Sequence, residues 1–525
     1  MPDYDKLTRE EMVKLCQTLW LKNADLERNI ELYREQLKKN QQKMYGKSSE
    51  KSTLVMQDGM DLFDEADALA YEDEQEEAVN IAEHKRRKKK KYTMDNLPSN
   101  IEKEYVDYDL EEKDCPTCGG KLHRIRIDEK LELIMIPAQQ KLKIHRVPVY
   151  ACRNCQKKEK GTVVKAPGPV TLFPKSPASA SLVSFLMDMK YSKGVPLYRI
   201  EQSMKQEGIL FPRHTYARWM IDCSDRYLEK VYAYMHEKLL EEDIIYADET
   251  HHDVFTEGEK GRQLKQTYIW MFRTGVAAEK KIVLYVHKGG RSGKIATEFL
   301  KDYHGYLQSD DYAGYNGVEG TRVLCHAHVR RKFADIVKAQ KGNGSVEVAG
   351  EVIKRYKTIF KTDNDIRKEC GNEYILIRDK RETVIRPKLD ELFTYLDEII
   401  NQVSEKSELY KAIQYARTNK EQLYTFLEDG RLELTNNLSE RSQKPVIIGR
   451  KNSMFMGSAR GAQSSAVIYS LVESAKENGL IPRCYLNHLL EELPKMEEAG
   501  EYEIDRLMPW HQNVQKSCRA KMADT

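Results

Sequence analysis

The 525-residue sequence is sparing with cysteine and tryptophan, has no long apolar run, and is almost balanced in charge. Ten cysteines over this length are too few for a disulfide scaffold. No stretch approaches the roughly 20 apolar residues of a membrane-spanning helix, and the opening residues lack the apolar core of a secretory signal. These absences predict a cytoplasmic protein with no membrane partner. A formal net charge of only +3 excludes a uniformly polycationic chain, so any nucleic-acid partner must be held by local clusters of cations. The length exceeds what one hydrophobic core covers, which predicts several domains.

What is present is strongly zoned. Met12, Leu15, Leu19, Leu26, Ile30, Tyr33, Leu37 and Met44 recur at helical steps among Lys, Glu and Arg, predicting an amphipathic helix within residues 1–52. Its narrow stripe suits a partner helix, a second copy as a coiled coil, or docking on its own domain. Residues 53–100 read as a charged linker. They hold ten acids and no base between Asp58 and Glu77, then seven consecutive cations from Lys85 to Lys91. That basic run suits phosphate contact or a solvated tail. Two CxxC pairs follow, Cys115 with Cys118 and Cys152 with Cys155. Paired thiolates on tight knuckles suit one tetrahedral structural Zn²⁺, predicting a zinc-ribbon-like domain over 101–165 with strands at Leu131–Met135 and Leu142–Ile144.

Four prolines between Ala166 and Pro177 mark a hinge. Beyond it, PLYRIEQSMKQEGILFPRHTYARWMID reads as helix, turn at Gly208, and second helix from about Pro212, the grammar of a helix-turn-helix over 166–238. Arg213, His214, Thr215 and Arg218 would then stand near the start of the second helix, where side chains reach base edges or phosphates.

The stretch DIIYADETHHDV, Asp243 to Val254, sets acids and two histidines behind a short apolar run. Ile244 to Ala247 suits a central strand, with Asp248 predicted at its end. Strands at TYIWMFRTG and KIVLYVHKG follow, then a helix near Ile295–Tyr303, a strand in GYLQSDDYAGY, and RVLCHAHVRRKFADIVKA as strand into helix. This is the element order of a ribonuclease H-like α/β core, in which the first and fourth strands are neighbours and their acids meet. Strand parity puts Asp310 and Asp311 on opposite faces, so one of the two joins Asp248. TNNLSERSQKPVIIGRKNSMFMGSARGA supplies a third acid, Glu440, among Arg441, Lys444, Arg450, Lys451 and Arg460. Three converging carboxylates suit hard divalent cations, two ions of Mg²⁺ or Mn²⁺, for phosphodiester chemistry. The cations suit the phosphates of a DNA strand. Helical periodicity between the second and third acids predicts an insertion over about 343–430, inside a catalytic domain spanning 239–460 and followed by a helical region, 461–525.

Glu249 is expected to turn away from Asp248, toward a supporting hydrogen bond or solvent. Asp253 has no motif behind it. His251 and His252 alternate faces and have no third nitrogen ligand nearby, which disfavours a soft-metal site. Cys325, His326 and His328 form no complete ligand set. His328, Arg330 and Arg331 are read as supports of the acid site, phosphate contacts, or packing residues.

The strings YADET, LQSDDYAGY, CHAHVRRKF and NNLSERSQKPVIIGRKNSMFMGS, with AVIYSLVESAKENGLIPRCYLNHLL, closely resemble transposases of the Insertion Sequence 66 family. The resemblance extends to MYGKSSEK, both cysteine pairs and YSKGVPLYRIEQSMKQEGI, in the family's order. It implies a bacterial mobile-element enzyme with a DDE triad that cuts element ends and joins them to target DNA. Asp248 and Glu440 take the first and third triad positions. Asp310 takes the second by alignment, although Asp311 follows it where the family pattern has Gly. The resemblance also implies small accessory proteins of the same element, and assembly on two double-stranded DNA ends calls for a homodimer or larger. Two rivals stand beside this reading: a non-catalytic DNA-binding regulator and a structure-selective nuclease that cuts without joining.

Overall fold

The computed structural model describes residues 140–151 and 163–519, except Lys175, Glu259, Lys260 and 340–343, together with a few residues between Thr8 and Lys22. Cys115, Cys118, Cys152 and Cys155, the linker 53–100 and most of the amphipathic stripe therefore lie outside the described residues. Leu142 and Ile144 are not in a strand; both are exposed and lack a pairing partner there. Pairing in this region joins β1 (Val149–Ala151) to β2 (Val163–Lys165), antiparallel.

A helical layer comes next. In α1 (Ala180–Met187) the Ser179 hydroxyl accepts the Leu182 N–H, capping one of the free donors of the first turn. Helices α2 (Leu197–Gln206) and α3 (Arg213–Cys223) are joined through Gly208, whose φ of +84° is open to glycine at little cost. The helix–turn–helix succession expected at this point is thus present, and α4 (Glu229–Leu240) leads into the sheet.

The sheet holds β3 (Ile244–Gly258), β4 (Gly261–Thr274), β5 (Val283–His287), β6 (Tyr306–Ser309) and β7 (Thr321–Leu324), in the order β5-β4-β3-β6-β7. The first three are mutually antiparallel, whereas β6 runs parallel to β3 and β7 parallel to β6. All of β5 and the last half of β4 are buried, as befits strands covered on both faces. Contrary to expectation, β3 does not stop at Asp248. It continues to Gly258 because β4 pairs with it all the way to Gly261, and the alternating polar residues beyond Asp248 form a two-stranded ribbon.

Helix α5 (Lys294–Phe299) crosses between β5 and β6, and α6 (His326–Ala339) follows β7. The predicted insertion is a run of helices: α7 (Gly344–Cys370), α8 (Tyr374–Lys380), α9 (Arg386–Ile400), α10 (Glu408–Thr418) and α11 (Lys420–Tyr424). After it come α12 (Asn437–Ser453), α13 (Ala459–Glu477), α14 (Pro482–Ala499) and α15 (Gln512–Cys518). The chain is therefore α+β, a mixed sheet among many helices.

Strand parity divides the core in two. Ile244 and Tyr246 point into a cluster shared with Val323, Leu324, α6 and the insertion helices. Ile245 and Ala247 point into the other, which runs from Leu172 through α1–α5 and the sheet to α13, α14 and Cys518. The insertion is thus packed against one face of the sheet, and the segments 166–238 and 461–525 share a core on the other.

Candidate active site

The parallel register of β3 and β6 pairs Ile244 with Tyr306 and Tyr246 with Gln308. Two residues further along the same register, Asp248 lies level with Asp310. Glu440 reaches them by a different route. The chain leaving the insertion is tied down where Gln308 donates to the carbonyls of Glu433 (2.7 Å) and Thr435 (2.8 Å). The His326 N–H bonds Leu434 O, and the Cys325 thiol accepts the Asn436 N–H. Helix α12 then starts against β3: Asn436 donates to Ala247 O and Gln443 to Asp248 O, each at 3.1 Å. Glu440 sits in the first turn of α12, between these two anchors and 7% exposed.

These carboxylates feel one another. Burial pushes the Asp248 carboxyl well above its usual range, and the negative charges of Glu249, Asp310 and Glu440 push it further. Glu440 is also raised, first by burial; His328, Arg331 and Lys444 oppose the rise and Asp310 adds to it. The His328 Nε2 lies 3.6 Å from Glu440 Oε1, and burial holds this imidazole below its usual range despite the acid beside it. Glu440 Oε2 is buried and accepts no hydrogen bond. A buried carboxylate oxygen without a donor is costly unless something else supplies positive charge.

Among the described residues, no group of three or more His, Cys, Asp or Glu side chains stands gathered around one ion-sized position. The three acids are neighbours, not a closed ligand shell. Their chemistry nevertheless fits a hard divalent cation: all donors are oxygens, Asp310 and Glu440 raise Asp248, and one oxygen is orphaned.

Asp310 and Asp311 part company. The Asp310 carboxylate accepts the Tyr312 N–H at 3.1 Å and acts on Asp248, Glu249, Glu440 and His328. Asp311 accepts a hydrogen bond from Asn419, on the insertion, at 2.8 Å. Both line a cleft of about 390 Å³ with Arg291, Tyr312, His328, Arg331, Lys332, Asp335 and Tyr415.

Glu249, as expected, supports from behind. Its side chain is 2% exposed, accepts from Tyr315 Oη at 2.7 Å and from Arg291 Nη2 at 2.6 Å. Arg291 in turn lies 4.0 Å over the Tyr312 ring. Its loop reaches that position because Gly293 and Gly314 meet backbone to backbone; a Cβ on Gly293 would stand 2.5 Å from Gly314 O. Sequence reasoning missed Arg291, Tyr315, Asn436 and Gln443. Only Arg291 carried a signal, a cation inside the glycine-rich KGGRSGK directly after β5.

The other expected residues divide by exposure. Arg213, His214 and Arg218 are exposed and Thr215 half-buried, while Tyr216, Trp219 and Met220 face the core from the same helix. Arg331 is half-buried in the cleft, but Arg330 is buried inside the protein, away from the surface where DNA contact is expected. Along α12, Arg441 and Lys451 are exposed and Lys444 half-buried, and Arg450 donates to the His251 carbonyl. Arg460 is committed to Asp222 (3.0 Å) and Asp225 (2.6 Å), which ties α13 to the helices before the sheet. His252 is buried and His251 exposed, on opposite faces of β3. Of the CHAH motif, Cys325 and His326 are structural: the His326 ring bonds Leu423 O at 2.8 Å, leaving His328 at the acids.

An α+β fold that brings half-buried and buried acids from neighbouring strands beside a cation-bearing helix is the class of protein to which the comparisons also point. Residues 175–464 match the family described as Transposase IS66 family, and 470–510 match its C-terminal element. Residues 112–156, which contain all four CxxC cysteines, match the zinc-finger binding domain of transposase IS66, and 32–106 match the Transposase C of IS166 homeodomain. The chain belongs to the IS66 transposase family. Among its relatives are two uncharacterized proteins of Sinorhizobium fredii. One, y4jD, is 30% identical over 79% of this chain and 81% of its own length; the other, y4hP, is 27% identical over 90% and 87%. Among the described residues no helix is long and apolar enough to cross a membrane.

Proposed function

We propose that this protein is a DDE transposase, which cuts the ends of an insertion element and joins the freed 3′ hydroxyls to target DNA. The observation that supports the reading is that Asp310 and Glu440, from distant parts of the chain, both act on the carboxyl of Asp248, while one buried oxygen of Glu440 has no donor. The strand order and the three-antiparallel, two-parallel pattern support a ribonuclease H-like core. Asp310, and not Asp311, is the second acid of this reading, because Asp311 is engaged by the insertion.

Asp248, Asp310 and Glu440 would hold Mg²⁺ or Mn²⁺. Bound there, two ions supply an activated water or 3′ hydroxyl and stabilise the leaving oxygen. The chain's own residues do the rest. Glu249, fixed by Tyr315 and Arg291, stiffens β3 next to Asp248. Asn436 and Gln443 hold Glu440 against that strand. His328 adjoins Glu440, and Arg291, Arg331 and Lys332 line the cleft with positive charge suited to phosphates. Arg441, Lys444, Arg450 and Lys451 extend that charge along α12, and α3 offers Arg213, His214, Thr215 and Arg218 to the element's end. Cys115, Cys118, Cys152 and Cys155 would bind one structural Zn²⁺, in keeping with the zinc-finger match. The reading includes the division into 1–52, 53–100, 101–165, 166–238, 239–460 and 461–525, a homodimer or larger, accessory proteins of the same element, and work on DNA in the bacterial cytoplasm.

The test is metal-dependent cleavage of DNA carrying the sequences that flank this gene, by wild type and Asp248→Ala. Loss of cutting in the variant is expected, and equal activity would sink the mechanism. A strand-transfer assay separates the rivals: free 3′ ends with no joined product indicate a nuclease, and binding without cutting indicates a regulator.

A further inference from the structure

The β3–β4 ribbon carries, beside Asp253–Phe255, a segment built in an unusual way. Helix α12 closes on Met454, whose N–H bonds Arg450 O at 2.7 Å. The Phe455 N–H then bonds Ser453 O at 2.7 Å, with Met454 between them at φ +62° and ψ −50°. This is the γ-turn of positive φ, a rare and strained form for a residue bearing a long side chain. Strain of this kind concentrates at working sites, where the surrounding structure enforces it.

Here the enforcement is visible. The segment after the turn is clamped to β3, Phe255 N–H to Met456 O at 3.0 Å and Met456 N–H to Asp253 O at 2.9 Å. The Phe455 ring meets Phe255 edge-on at 4.9 Å, and Arg262 lies 4.4 Å over Phe255 while donating to Gly457 O. The outcome is an apolar tip: Met454 is 72% exposed, Phe455 45%, and Leu264, cross-strand from Phe255, 50%. On the same side stand Arg262, Arg450 and Lys451, of which Arg450 bonds the His251 carbonyl, with the acids Asp253 and Glu257 among them, while Lys265 faces the other side with Val254. An apolar wedge within a cationic rim matches duplex DNA with an opened base step: the rim meets phosphates and the wedge replaces stacking.

The tip is also held at a fixed reach from the acids. From Glu440 to Ser453 along α12, and from Asp248 to Val254 along β3, the distance is roughly 20 Å by each route. At 3.4 Å per base pair that is about six base pairs.

We infer that Met454 and Phe455 form a wedge that enters the DNA about six base pairs from the phosphate bound at the acids and unstacks a base step there. This rests on the DNA-cutting reading above. The probe is a 30-base-pair duplex of the flanking sequence, intact or with one abasic site at successive positions, bound by the full-length protein in Ca²⁺. Wild type is expected to bind the duplex with the abasic site near the sixth pair from the cleaved phosphate roughly tenfold more tightly than the intact one, since the unstacking cost of a few kcal/mol per step is then largely removed. In Met454→Ser/Phe455→Ser the ratio of the two affinities should fall toward one. Met454→Gly keeps the turn, because glycine accepts its φ, and should lower the ratio in a protein that folds as wild type does. Equal affinities for both duplexes in wild type, or an undiminished ratio in Met454→Gly and the double variant, would overturn the wedge while leaving metal-dependent cleavage intact. Absence of both DNA binding and cleavage would overturn wedge and transposase reading together.

Discussion

Two acidic groups, one inside the insertion and one where β3 meets β6, are treated in opposite ways. In the insertion, Asp363 is 5% exposed and fully matched: Arg381 meets it at 2.6 and 3.1 Å, and Arg367 at 3.3 Å. Arg381 also donates to Leu432 O at 2.9 Å, so this pair fastens the return segment that delivers α12. At the acid site, Asp310 raises both Asp248 and Glu440, with an imidazole 3.6 Å from Glu440 and one of its oxygens left without a donor. A matched buried ion pair is architecture. An unmatched cluster of carboxylates costs stability, a cost that the cation of the proposed function would offset.

That contrast can be broken by substitution. The largest effect is expected from Glu440→Gln, which should cut DNA cleavage on the order of 10³-fold or more while thermal unfolding stays at or above that of wild type. Stability that falls with activity would make Glu440 another structural acid. Asp363→Ala should do the reverse and destabilise by about 3–5 kcal/mol in chemical denaturation, because Arg381 is left buried and unpaired. A near-neutral result would remove the contrast.

Smaller effects sharpen it. Mg²⁺ or Mn²⁺ at about a hundred times its Kd should stabilise wild type by about 2.7 kcal/mol in a thermal scan, and should not stabilise Asp248→Asn. An equal shift in both proteins would assign the cation to some other site. The smallest difference is expected at Asp311→Asn, which keeps an acceptor for Asn419 and should leave cleavage within about threefold, an effect of the size of 0.5 kcal/mol. Asp310→Asn measured beside it should match Glu440→Gln; a reversal of the two would exchange their roles.

Much of the site is legible in the residues alone. The apolar run before Asp248, the acids ending the fourth strand and the order of the strands are readable because a buried parallel strand has a distinctive composition and a short period. Where β3 ends is not readable, since its continuation is held by β4 and by the Met456 clamp, partners that local pattern does not reveal. Arg291 and Tyr315 escape notice for a related reason. Their importance lies in the carboxylate they share, and nothing near either residue names Glu249. In the CHAH motif the incomplete ligand set argues against a metal, but the backbone partners of Cys325 and His326 are not readable from spacing.

The sequence by itself determined the family, the candidate acids, the CxxC pairs and the presence of a helical insertion, because each is written in residue type and spacing. Tertiary structure turned Asp311 toward Asn419 and Asp310 toward Asp248, buried Arg330, paired Arg460 with Asp222 and Asp225, anchored the start of α12 on β3 through Asn436 and Gln443, and exposed Met454 beside the ribbon. The reason is physical. Burial, hydrogen-bond partnership and charge pairing are relations between residues far apart in the chain, and they exist only once the sheet and its two cores have formed.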